Sequence, residues 1–396
     1  MTTKASRSTL PEPGNVESVE TSAASATPKL TAVICTHLRY EVLDAAIESL
    51  LNQDCPPDFL EVVVVDNSPD EAKVSDYRAR YDRVPGLRYL HEPIVGLSNA
   101  RNRGLAEARA QLVAFIDDDA IASPSWATNI VAGFAALGSH IGAVGGRVVP
   151  RFSTPLPTWL NDGLLAYLSV VDWGGRLRVV RGAEWIVGCN MAFRRDIAIR
   201  VGGFSSFLGR SGAGASLLSN EENDICTRLR GSGYEVAYSP AALVEHVIDP
   251  GRLTPAWFRR RAAWQAVSDL LADPVRAEAL AARAPAHLQI VSARAQGSPP
   301  FGIYTPTENP AKISEDVGVA YDLVVAMLCA GGVDAGTGDQ TAGRNDLMAY
   351  LRSFLLRHPL LLKFARALRR RVKLVSIREQ RESSESVVIG SQRRAG

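Results

Sequence analysis

The chain has 396 residues, 46% of them apolar and 22% charged, enough for one large α/β core with appendages or for two to three domains. Its 44 basic and 42 acidic side chains leave a formal charge of +2, which gives no footing for a nucleic-acid-binding protein. The five cysteines form no CxxC pair and are odd in number, so they fit a reducing compartment better than a disulfide framework.

Residues 1–29 are biased toward Ser, Thr, Ala, Pro and Glu and hold no apolar h-region, so they read as a disordered arm and not a signal peptide. No apolar run reaches the roughly 18–20 residues of a spanning helix. These features point to a cytoplasmic protein. From residue 30 the pattern changes. LTAVIC (30–35) is a short β-branched run, and in YEVLDAAIESLLNQ (40–53) Leu43, Ile47, Leu50 and Leu51 recur at helical spacing. EVVVV (61–65) has no polar alternation, as expected of a strand covered on both faces. A polar helix over 70–81, a strand LRYL (87–90), a helix opening at Ser98 and a strand LVAFI (112–116) follow. Strands alternating with helices predict a parallel sheet. Its strands end at Cys35, Val65 and Ile116, and THLR, DNSPD and DDDA come next. In open α/β sheets ligands bind beyond the carboxyl ends of the strands, so these three polar segments converge on one edge.

The second half is less regular. IGAVGGRVV (141–149) reads as a strand, PLPTWLND as a proline-rich connection, and WIVGCNMAF leads into a helix near 194–201. GGFSSFLGRSGAGAS is rich enough in Gly and Ser to be a loop, and residues 208–219 within it read as a lid. EENDICTRLRGSG is a helix with a glycine stop, and YEVAYSP and AALVEHV are two short strands. Beyond about residue 254 the pattern is helical, with further helices over 313–330 and 345–374.

Asp117, Asp118 and Asp119 stand side by side at the end of an apolar strand, where like charges repel. Such a cluster coordinates a hard divalent cation, which in turn holds phosphates. The plainer alternative is a solvated turn in which Asp119 or Ser123 caps the next helix.

Six segments, in this order and spacing, resemble the family 2 glycosyltransferases of the GT-A fold: TAVICTHLR, VVVVDNSPD, GLSNARNRGL, VAFIDDDA, GCNMAFRRDIAIRVGGF and NEENDICTRLRGSGYEVAYSPAALVEH. The resemblance covers roughly residues 30–250. It implies a Rossmann-like, mostly parallel central sheet flanked by helices, with a helical appendage over 251–380 and a disordered tail over 381–396. It also implies an inverting transfer from a nucleotide sugar, read here as a UDP-sugar, to an acceptor hydroxyl, with Mg²⁺ or Mn²⁺ as cofactor. The acceptor class stays open among glycans, lipid-linked sugars and small molecules.

Carried over by motif, Thr36, Arg39 and Asp66 hold the base and ribose. Asp117 faces the ribose hydroxyls, and Asp119 binds the metal bridging the diphosphate. Asp118 can serve either task or point into solvent. Arg101, in the first turn of the helix after Ser98, is a candidate phosphate ligand, since arginines there oppose the helix dipole unless an anion offsets them. The acidic pair at the start of the late helix matches Glu221 and Glu222, with Glu222 as base where the family more often has Asp. An acid-rich helix N-terminus capped by Asn220 explains the same residues without catalysis. His246 matches a position near the metal, and Asn190 and Glu221 match positions that face the acceptor or donor sugar. Gly202 and Gly203 would let backbone approach the sugar closely.

Two competing functions remain. A haloacid-dehalogenase-type phosphatase also has DxD after a strand, but Ala120-Ile121 stands where its small turn belongs. A catalytically idle sugar-nucleotide-binding module sits poorly with the intact acids. In the tail, leucines on one side and a basic cluster at Arg369–Arg371 suit peripheral contact with the inner face of a membrane.

Overall fold

The computed structural model describes residues 27–210, 217–272, 279–280, 282–283, 286 and 307–329. The disordered arm (apart from residues 27–29), the central part of the lid, the helix over 345–374 with its basic cluster, and the terminal tail lie outside the described residues. Among those described, no helix is long and apolar enough to cross a membrane.

β1 (Leu30–Thr36), β2 (Leu60–Asp66), β3 (Leu87–His91) and β4 (Leu112–Asp117) pair in parallel. In β2 six of seven residues are buried, the outcome expected of an unbroken valine run. The register sets Cys35 opposite both Val65 and Asp117, and Thr36 opposite Asp66, so the three polar strand ends finish at one level. α1 (Tyr40–Leu51) turns Leu43, Ala46, Ile47 and Leu50 to the sheet, while Leu51, read on the same face, is 39% exposed. α2 (Glu71–Tyr81) is capped by Asp70, whose carboxylate accepts from Lys73 N at 3.2 Å. α3 (Leu97–Glu107) packs unusually close to β1, because a Cβ on Gly104 would lie 2.4 Å from Val33 Cγ1.

Beyond β4 come β5 (Ala120–Ala122), α4 (Trp126–Leu137), β6 (Ile141–Phe152), α5 (Asp162–Leu165), β7 (Arg178–Val179) and β8 (Met191–Arg194). α6 (Arg195–Arg200), α7 (Glu221–Gly231), β9 (Glu235–Ile248), α8 (Pro255–Ala272) and α9 (Pro310–Cys329) complete the order. The sheet runs β3-β2-β1-β4-β8-β6-β9-β5, with β7 also on β9. The first four strands are parallel, as expected, and the rest of the sheet is mixed. β8 lies antiparallel to β4 and β6, β6 and β9 are parallel, and β5 and β7 run antiparallel to β9. YEVAYSP and AALVEHV, read as two strands, form the single strand β9. Its pairing with β6 jumps from Gly146↔Ser239 to Arg147↔Leu243, a bulge at Pro240–Ala242 that spares the proline a ladder donor it lacks.

α8 and α9 pack on the sheet domain through a second core, in which Trp159, Leu168 and Ile248 meet Phe258, Ile313 and Val317. Asn161 donates to Ser314 Oγ at 2.8 Å across the same junction.

Candidate active site

The turn from β4 to β5 answers why three aspartates stand together: each is bonded to a cationic side chain. Neither Asp119 nor Ser123 caps α4. That place is taken by Ser125, without a side-chain bond. Asp118 is buried, not solvated. Its oxygens accept from Thr36 Oγ1 at 2.9 Å and Arg39 Nη1 at 2.6 Å. Burial, with Asp119 and Asp117 nearby, pushes its pKa up to about 7 against the pull of Arg39. Asp119 accepts from Arg39 Nη2 at 2.8 Å and from Arg252 Nη2 at 3.3 Å. Burial would raise Asp119 too, but His246, Arg39 and Arg252 outweigh it and hold this carboxyl well below the usual range. Asp117 alone opens outward, with its side chain 35% exposed against 6% and 2% for Asp118 and Asp119. A ligand arriving at the strand ends therefore meets Asp117 and Arg39 first. Thr36, read as a nucleotide contact, is buried against Asp118.

β5 brings Asp119 to His246, because its short ladder sets Ala120 opposite His246 on β9. His246 Nδ1 lies 2.8 Å from the Leu168 carbonyl and must carry the proton there, which leaves Nε2 facing Asp119 Oδ1 at 3.3 Å. Two lone pairs cannot face each other at that range without a cation between them, either a proton or a metal ion. One carboxylate oxygen and one imidazole nitrogen oriented by a carbonyl are the donor chemistry of a divalent ion, so the pair fits Mg²⁺ or Mn²⁺. Among the described residues no cluster of three His, Cys, Asp or Glu forms a full cage. The remaining positions would fall to phosphate oxygens and water.

Arg101 departs from its expected role. It is 2% exposed and lies beneath the acids, bonded to Glu221 Oε1 at 2.6 Å and Asp117 Oδ1 at 3.3 Å. It bridges the strand-end acids and the late helix, and is closed to a phosphate. Those carboxylates also resolve the conflict with the helix dipole. Gly188 makes room for it, since a Cβ there would lie 2.5 Å from Arg101 Nη2.

At the start of α7, Asn220 adopts a left-handed conformation (φ 76°) and does not cap the helix with its side chain. It is gripped from α8 instead: Nδ2 donates to Asp269 Oδ1 at 2.8 Å and Oδ1 accepts from Gln265 Nε2 at 2.9 Å. The acids that follow are thus oriented by α8. Glu221 spends one oxygen on Arg101. Glu222 Oε2 is buried with no hydrogen-bond partner. Burial and then repulsion from Glu221 raise the Glu222 pKa to about 7, opposed by Arg101. Asp224 bonds Ser205 Oγ at 2.7 Å and Arg228 Nη2 at 2.6 Å, which commits it to holding the turn before the helix.

Three other expectations are corrected. Asp66 is fully buried, accepting from Tyr40 at 2.9 Å, Tyr89 at 2.7 Å and Ser68 N at 3.0 Å, so it braces the end of β2 and leaves no oxygen open at the strand-end edge. Asn190 is fully buried and uses its whole amide on Trp126 Nε1, Arg147 O and Ala242 O, joining α4, β6 and β9. Gly202 and Gly203 take φ of 93° and 64° to end α6, a turn that Asn102 clamps by bonding Phe204 N and O at 2.8 Å each. Sequence reasoning missed Arg252 and Arg261. Their signal was the basic residues that follow His246 and the RRR run inside an otherwise apolar helix.

Residues 31–202 match the family described as Glycosyl transferase family 2. A glucosyl-dolichyl phosphate glucuronosyltransferase of Haloferax volcanii is 29% identical over 62% of this chain and 77% of its own length. The succinoglycan biosynthesis protein ExoM of Rhizobium meliloti is 29% identical over 58% of this chain and 70% of its own. A mannosyltransferase of Pyrobaculum calidifontis, solved in complex with GDP-Man and Mn²⁺, is 20% identical over 86% of each chain, with a TM-score of 0.45. With its mixed α/β sheet and acids gathered at the strand ends, the chain is similar over residues 31–202 to the family 2 glycosyltransferases.

Proposed function

We propose that the protein is a metal-dependent, inverting glycosyltransferase that moves a sugar from a nucleoside diphosphate sugar, UDP in our reading, to an acceptor hydroxyl with Glu222 as the base. The observation that carries this reading is the Glu221–Arg101–Asp117 bridge. It fixes the start of α7 one arginine away from the strand ends and leaves Glu222, with an unpartnered oxygen and a pKa pushed up to about 7, beside it. A base poised near neutrality suits proton removal from a hydroxyl.

Asp119 and His246 would hold Mg²⁺ or Mn²⁺, which when bound supplies charge to neutralise a leaving diphosphate. The residues of the chain do the rest. Asp117 accepts from ribose hydroxyls, and Arg39, half-open to solvent, keeps Asp118 and Asp119 in place. Glu222 takes the acceptor's proton as its oxygen attacks the anomeric carbon. The carbon–oxygen bond to the diphosphate breaks on the opposite face and its electron pair leaves with the nucleotide, so one displacement inverts the centre. The names of the relatives, one acting on a dolichyl phosphate sugar and one in succinoglycan biosynthesis, favour a lipid-linked or polysaccharide acceptor in cell-surface glycan assembly.

The test is a panel of nucleotide sugars offered to purified protein with Mn²⁺ and lipid-linked or oligosaccharide acceptors, read as released nucleoside diphosphate. Release with one donor, lost on chelation and in Glu222→Gln, is the expected result. Release from no donor, or full release by Glu222→Gln, sinks it.

A further inference from the structure

Three arginines outside the sequence motifs run from Asp119 to Glu222. Arg252, on the single turn after β9, reaches Asp119 Oδ2 at 3.3 Å. Arg261, near the start of α8, donates from Nη2 to Ser219 Oγ at 3.1 Å just ahead of α7. Its Nη1 is shut off from solvent and meets no acceptor. Arg210 is exposed, and its carbonyl accepts from Leu97 N at 2.9 Å, which fixes it beside the start of α3.

These cations feel one another. Burial and then repulsion from Arg210 lower the Arg261 pKa, with Glu222 opposing. Arg252 and Arg39 donate to the same oxygen, Asp119 Oδ2, at 3.3 and 2.8 Å, which sets two guanidinium groups side by side. Like charges held together in half-buried ground cost free energy, and the protein's own anions do not cancel it. Asp119 is already shared with Arg39 and His246. An unmet buried donor carries a free-energy cost that an incoming acceptor oxygen removes. Guanidinium forks match the oxygens of phosphate in shape as well as charge.

We propose that Arg210, Arg252 and Arg261 form a phosphate-binding cluster on the flank joining Asp119 to Glu222. The phosphate belongs either to the donor's diphosphate or to the acceptor. Which of these it is rests on the transferase reading above, whereas the cluster itself does not.

Full-length protein is titrated calorimetrically with inorganic phosphate at fixed ionic strength, alone and then saturated with UDP and Mn²⁺. Arg261→Gln, Arg210→Gln and the charge-keeping Arg261→Lys are compared. We expect phosphate to bind the free protein, about tenfold more weakly in each Gln variant and less affected in the Lys variant. Phosphate that still binds beside UDP and Mn²⁺ assigns the cluster to the acceptor. Phosphate displaced by UDP, with UDP weakened in the same variants, assigns it to the donor. Wild type that takes up no phosphate, or folded Gln variants that bind it within twofold of wild type, overturns the proposal. If Arg261→Gln melts below the assay temperature, Arg210→Gln carries the test from an exposed position. A protein that binds phosphate through these residues yet releases no nucleotide from any donor keeps the cluster and sinks the transferase reading.

Discussion

Glu221 and Glu222 are neighbours with opposite duties, and substitution separates them. Glu222→Gln keeps the shape of the side chain and removes the lone pair that takes the proton, so kcat falls by about 10²–10⁴ while UDP affinity, read by calorimetry, stays within a few-fold. Glu221→Gln acts on the fold instead. It leaves Arg101 buried with only Asp117, and breaking such a pair costs about 3–5 kcal/mol, seen as a lowered Tm. The two are linked through charge. Because Glu222 must be ionised to act, kcat/KM should rise with pH along an acid limb near 7 and level off above it. Removing the negative charge of Glu221 should slide that limb toward the ordinary carboxylate range; a limb that does not move removes Glu222 from the role of base. Stability follows the same sign. The folded state holds the Glu222 proton more tightly than the unfolded chain, so its charge destabilises the fold increasingly as pH rises from the ordinary carboxylate value through about 7. Glu222→Gln should therefore gain Tm relative to wild type at pH 8 and not at pH 4. Asp119→Asn keeps the side-chain size and removes the charge facing His246. Its UDP affinity should lose its dependence on Mn²⁺, whereas an unchanged Mn²⁺ dependence moves the metal elsewhere.

At the scale of elements, what the sequence shows and what it hides divide by distance along the chain. The strands LTAVIC and EVVVV, the helices over 40–51 and 71–81 and the glycine stop of α7 are legible because each is decided by its own residues. The acids at 117–119 and 221–222 are legible as chemistry. Their partners are not, because Arg101 reaches Glu221 across 120 positions and Thr36 reaches Asp118 across 82. Asp66 and Asn190 were misread for the same reason: nothing local tells a polar group aimed at a ligand from one satisfied by a distant tyrosine or tryptophan. Packing between elements decides the position of the bridge, and Gly188 is its sharpest control. Gly188→Ala puts a methyl within 2.5 Å of Arg101 Nη2 and must displace the guanidinium. Turnover should drop about tenfold or more, since small misplacements at a site are amplified in rate. A variant with wild-type kcat shows that the bridge tolerates movement.

For the whole molecule, α8 and α9 are part of the enzyme's frame. α8 packs into the second core and grips Asn220, so the stability of that core and the aim of Glu222 are one property. Phe258 is fully buried there with its ring edge-on to Trp159 at 5.7 Å. Phe258→Ala should cost about 3–5 kcal/mol, measured by denaturant unfolding, and should lower kcat as well by loosening α7. Loss of stability with kcat unchanged separates the two.

The same fold also limits how copies of the chain can stick together. Sheet edges are templates for unwanted pairing, and here the two longest strands, β6 with 12 residues and β9 with 14, lie inside. The sheet ends on β3, five residues long, and, beyond β9, on β5 and β7, three and two residues long. β5 thus shields the Val244–His246 stretch of β9 from other molecules. Damage to those three residues would uncover a strand suited to edge-on addition, so a lesion beside Asp119 would be expected to surface as aggregation during expression as well as lost catalysis.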